Sequence, residues 1–103
     1  MNVQAIIEKK LAEHIDCAFL LVENESFRHA VPANSETHFK VTVVSDDFSG
    51  KLLIARHRLI NGLLSEQLAG PVHALAMHTY TTEQWEKKGN VAPTSADCMG
   101  GGK

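Results

Sequence analysis

Two helical stripes of apolar residues alternate with three short strand-like runs along 103 residues, and that order leaves room for only one small α/β unit around one core. The first stripe is Val3, Ile7, Leu11 and Ile15, four apart with Glu8, Lys9, Lys10 and Glu13 between them, which predicts a helix with one buried face. Asp16 and Cys17 lead into residues 18–22, a short and almost wholly apolar run that predicts a strand covered on both faces. The polar segment 23–36 follows. Its Pro32 and Asn34 are turn formers, so residues 26–35 read as a long loop, and loops of that length usually bind something.

Phe39, Val41 and Val43 then alternate with Lys40 and Thr42, a second strand that ends at Asp46-Asp47 and is expected to pair antiparallel with the first. Over residues 52–68 the apolar residues Leu53, Ile60, Leu64 and Leu68 fall on one helical face, with His57 on the same stripe, and Gly70-Pro71 closes the helix. Residues 72–80 predict a third strand, whose small Ala74 and Ala76 on one face are expected to let a helix pack close above it. Thr81-Thr82-Glu83-Gln84 carries the capping-box pattern, opening a short last helix through Trp85 to Lys88. The expected order is helix-strand-strand-helix-strand-helix, a three-stranded mixed sheet with helices packed against it, in one domain over 1–88. Residues 89–103, with three consecutive glycines, supply too few core residues to order the chain and read as a flexible tail.

Several function classes are disfavoured by residue content. No apolar run approaches the ~20 residues of a membrane span, and Met1 to Ala5 leads directly into the amphipathic pattern with no secretory leader, so a cytoplasmic location is expected. Cys17 and Cys98 are far apart and form no disulfide framework, which suits a reducing compartment. A G-x-S-x-G elbow, an H-E-x-x-H helix and a phosphate loop are all missing, and the adjacent Asp46-Asp47 read as a solvated turn, so the chain is not expected to be an enzyme. A formal charge of −2 gives no global attraction to nucleic acid. The local cluster Lys51, Arg56, His57, Arg58 invites phosphate contact, but positions 56 and 58 lie about 200° apart around a helix, so one arginine should pack within the fold. Gly50 stands alone where a KH-type clamp uses G-x-x-G. Among six histidines, His73 opens the third strand and His29 lies in the long loop; imidazole is a common metal ligand, yet their separation makes a shared site depend wholly on the fold. The plain alternative is a strand-end histidine and a solvent-facing loop histidine. His57 reads as a hydrogen-bonded core or boundary histidine, as do His38, just before the second strand, and His78, in the third; His14 reads as an exposed or helix-end residue, and Trp85 as an anchor for the last helix.

The segments Phe27-Arg28-His29-Ala30-Val31-Pro32, residues 35–41, Val43-Val44-Ser45, Phe48-Ser49-Gly50, Arg56-His57-Arg58-Leu59 and Val72-His73-Ala74-Leu75-Ala76 form an ordered set across residues 6–85. That set resembles the BolA family, in its histidine-type loop form. The resemblance implies a fold similar to a class II KH domain and a monothiol, CGFS-type glutaredoxin as partner, the pair holding a bridging two-iron two-sulfur cluster only in the complex. It places ligand roles on His73 and His29, with glutaredoxin cysteine and glutathione completing the shell. Histidine in place of cysteine leaves such a cluster less negative and raises its potential. Bacterial members also resemble transcriptional regulators of stress response and morphology, which implies DNA contact through the helix-turn region at Lys51, Arg56 and Arg58. The free protein is expected to be a monomer or weak homodimer. A generic interaction domain without a cluster is the third reading.

Overall fold

The computed structural model describes residues 2–26 and 36–91. Helix α1 spans Val3–His14, strand β1 Phe19–Asn24, strand β2 His38–Val44, helix α2 Leu53–Leu63, helix α3 Ser65–Ala69, strand β3 Ala74–Tyr80 and helix α4 Thr82–Lys87, with a 3-10 turn at Asp46–Phe48. The sheet order is β1-β2-β3. β1 pairs antiparallel with β2, as expected, and β3 pairs parallel with it, so the mixed α+β sheet expected from sequence is the observed one.

The alternation in β2 sorts its side chains onto two faces. Phe39, Val41 and Val43 join Val22 from β1, Ile7 and Leu11 from α1, and Ile60 and Leu64 from the second helical segment in one core, with Leu75 and Met77 of β3 packed at its border. On the other face, the paired positions Phe19, Val44 and Tyr80 receive α4. Trp85 stacks on Phe19 with ring centroids 4.9 Å apart and tilts against Tyr80 at 5.5 Å. The capping box is formed as the sequence predicts: Gln84 N–H donates to the Thr81 hydroxyl, and the Gln84 side chain accepts from the Thr81 N–H.

Four expectations are corrected. β1 is an edge strand and not one covered on both faces; Phe19 keeps 37 % of its surface exposed. Ala74 and Ala76 are exposed and carry no helix, because α1 and α2 pack on the opposite face and α4 docks at the far end of the sheet. The single helix expected over 52–68 breaks at Leu64 (φ −105°, ψ 20°), just after the poor helix formers Asn61 and Gly62. The buried stripe there runs through Arg56, Ile60 and Leu64, while Leu53 is exposed.

Polar groups fix the ends of the elements. The Glu36 carboxylate accepts from the Val3 and Gln4 amides at 3.2 Å each, and Asn2 caps Ala5, placing negative charge at the N-terminus of α1 where the helix dipole favours it. Asp46 accepts from the amide and hydroxyl of Thr82, and Asp47 from the amide of Asp16, so the adjacent acids pin three segments together. Gly50, at φ +77°, supplies the left-handed residue that turns the chain into α2.

Leu11→Ala removes a fully buried side chain from the middle of this core. It is expected to lower unfolding free energy by about 3 kcal/mol, measured by urea denaturation with an unchanged slope.

Candidate functional site

The end of the sheet where β2 and β3 both begin is organised by two short polar residues. The Ser26 hydroxyl, itself buried, accepts from the backbone amides of Thr37 at 2.9 Å and His38 at 3.1 Å. Ser26 and Thr37 flank the segment that holds His29, so this one hydroxyl clasps both ends of that segment. The Thr37 carbonyl in turn accepts from the amides of His73, at 2.7 Å, and Ala74, at 3.2 Å. His73 is thereby anchored through its backbone while its side chain stays exposed.

Beside it stands His38. The two imidazole centroids are 6.4 Å apart at 67°, an edge-on arrangement, and His38 Nδ1 lies 2.7 Å from the Thr37 hydroxyl. A hydrogen bond at one ring nitrogen fixes ring orientation, as it does for metal-ligating histidines. From sequence His38 reads as a core or boundary histidine just before the second strand. Only the parallel register, which pairs His38 with Ala74, brings it next to His73. His29, the other expected ligand, lies outside the described residues, as do Cys98 and most of the expected tail.

Exposed imidazole nitrogen is a chemically suitable donor for iron. Among the described residues no three His, Cys, Asp or Glu side chains converge to hold a metal. Burial, and then Asp16 and Asp47, push the pKa of the Cys17 thiol up, which disfavours the thiolate at neutral pH.

The three expected nucleic-acid contacts have different surroundings. Lys51 and Arg58 are exposed. Arg56 is only 6 % exposed; its Nε donates to the Lys51 carbonyl at 3.0 Å, and its Nη1 to the Thr79 carbonyl at 3.3 Å and the Gln84 side chain at 2.9 Å. One arginine of the pair thus packs within the fold, as helical geometry requires. On the sheet face away from α1, Lys40 is buried and paired with Glu23 at 3.2 Å and Glu25 at 3.7 Å. No helix among the described residues is long and apolar enough to cross a membrane.

Known proteins match this arrangement over nearly its whole length. A family model described as BolA-like protein matches residues 11–84. A Vibrio cholerae protein named DNA-binding transcriptional regulator BolA is 50 % identical over 101 residues, 98 % of this chain and 95 % of its own. Its Escherichia coli namesake is 47 % identical over 102 residues, 99 % of this chain and 97 % of its own. The solution structure of BolA1 from Mus musculus superposes with a TM-score of 0.80 at 47 % identity, over 90 % of this chain and 77 % of its own.

His78, on the face of Lys40, has its pKa lowered first by burial and then by Lys40 and Lys88, opposed by Glu25, with His57 adding the smallest lowering effect. The folded protein therefore binds that proton less readily than the unfolded chain. Stability from this group is complete above the unfolded value of about 6.5 and declines as pH falls below it. Urea midpoints compared at about pH 7.5 and about pH 5.5 are expected to fall further for the wild type than for His78→Gln. Equal losses would mean that His78 does not contribute.

Proposed function

The chain belongs to the BolA-like family, and on that premise we propose that it acts as a non-enzymatic partner of a monothiol, CGFS-type glutaredoxin in the cytoplasm, sharing a bridging two-iron two-sulfur cluster. The observation that carries this reading is His73: an exposed imidazole whose backbone is held by the Thr37 carbonyl at the mouth of a clasped segment. His73 would supply one ligand and His29 the second, with glutaredoxin cysteine and glutathione on the other side. Bound in this way, such a cluster supplies a redox-active, less negative centre than an all-thiolate one. The residues of this chain hold and orient. Thr37 fixes the position of His73 through its carbonyl and the ring of His38 through its hydroxyl, while Ser26 keeps the ends of the segment carrying His29 together.

From sequence, Pro32 and Asn34 put His29 in a loop, and a bond from a loop-borne ligand is the easier one to exchange, which suits delivery or sensing of clusters better than permanent electron storage. Anaerobic reconstitution with a CGFS glutaredoxin, glutathione, iron and sulfide tests this. Visible circular dichroism distinct from that of the glutaredoxin homodimer is expected, lost in His73→Ala and shifted in His29→Ala. A spectrum identical to that of glutaredoxin alone would sink the reading.

A second reading has its own support in the names of the Vibrio cholerae and Escherichia coli relatives: DNA binding, as a transcriptional regulator. Exposed Lys51 and Arg58 are the cations for it, since Arg56 is buried and tied to backbone carbonyls. Duplex binding followed by anisotropy across a salt series is expected to give a log-log slope that shrinks by about 0.9 for each of Lys51→Ala and Arg58→Ala. Unchanged slopes in both variants would remove these residues from any DNA interface.

A further inference from the structure

An open groove of about 500 Å³ lies at the opposite end of β3 from His73, between the first turn of α2, the end of β3 and α4. Its charged lining residues are Lys51, Arg56 and Lys88, and no carboxylate lines it. One deeply buried polar side chain there has unused hydrogen-bonding capacity: the bonds of Arg56, only 6 % exposed, engage Nε and Nη1 and leave Nη2 outside them. A second feature is the start of α2. Its N-cap is Leu52, which has no side-chain acceptor for the first amides, so the positive end of an eleven-residue helix opens on the groove uncapped.

We propose that this groove is a phosphoryl-binding site, with Arg56 as its inner donor through Nη2, the first turn of α2 as its backbone contribution, and Lys51 and Lys88 at its rim. Fixed guanidinium donors and a helix N-terminus are elements that recur where proteins hold phosphate. Three cations with no opposing carboxylate favour a phosphomonoester, which carries a charge of about −1.5 to −2 at neutral pH, over a phosphodiester with a single charge. Lys88, whose ammonium also donates to the Val91 carbonyl, lies 5.3 Å from the Tyr80 ring centroid. Tyr80 and the exposed Leu52 and Leu53 give an apolar wall for the organic part of such a ligand. The site shares Lys51 with the DNA reading but does not rest on it.

The phosphoryl group could come from a small phosphorylated molecule or from the phosphates of a polynucleotide, and one titration separates the two. Inorganic phosphate and a nucleoside 5′-monophosphate are added to ¹⁵N-labelled full chain at matched ionic strength in chloride. Saturable amide shifts are expected at Leu53, Ile54 and Thr79, together with the Arg56 side-chain Nε–H. Because Arg56 replacements would disturb the fold, the test variants are Lys88→Ala and Lys51→Ala. Lys88→Ala removes an exposed ammonium at the rim, so it is expected to stay folded and to weaken phosphate binding several-fold. Lys51→Ala should weaken binding by about tenfold, in line with loss of a charged donor. Displacement of bound phosphate by a short duplex would assign the groove to nucleic-acid phosphates, and duplex binding without displacement would assign it to a small ligand. Shifts that are linear in concentration, scattered over the surface and unaffected by both variants would overturn the proposal, even if the duplex binds elsewhere.

Discussion

Two strands that run side by side in the same direction cannot be joined by a tight turn, and the parallel pairing of β2 with β3 sets the terms for everything that follows it in the chain. From Val44 the backbone has to leave the sheet, cross one face and return to its starting end. The 3-10 turn, α2 and α3 make that crossing. It buries Ile60 and Leu64 against Val41 and Val43, drives Arg56 under the end of β3, and returns the chain so that His73 meets Thr37. Without this register neither the histidine pair nor the cationic groove would exist.

The same register separates the two candidate sites. Both strands start at the histidine end, where Ser26 and Thr37 organise the backbone, and both finish beside α4, where Arg56, Thr79 and Gln84 are joined. β3 spans seven residues, about 20 Å at the usual rise per residue. A partner docked over His73 therefore stands well away from a ligand seated by Tyr80. The core between them is continuous, with Leu75 and Met77 bordering it along the strand.

Much of the fold was legible because local rules and tertiary structure agree there. The four-residue stripe of α1, the alternation in β2 and the Thr81–Gln84 capping box each need only neighbours in sequence to be satisfied. The failures lie where a residue is decided by a distant partner. Helical geometry tells that one of Arg56 and Arg58 packs inward but not which; carbonyls of Lys51 and Thr79 and the amide of Gln84 give the Arg56 guanidinium enough acceptors to replace an apolar residue in the stripe. Ala74 and Ala76 read as helix-facing because small residues usually are, but which face a strand buries depends on where the crossover runs. His73 stood out as a polar residue opening an apolar strand. His38 carried no such mark, since its significance comes from a strand almost forty residues later in the chain.

The chain has one tryptophan, and its surroundings make it a built-in optical gauge. Trp85 lies against Phe19 and Tyr80, with the ammonium of Lys88 5.5 Å from its ring centroid. Two of those neighbours, Tyr80 and Lys88, also line the groove beside α4. The indole emission is thus tuned by the charge and polarity of that corner of the molecule, and it reports on the end of the sheet remote from the histidines without any added label.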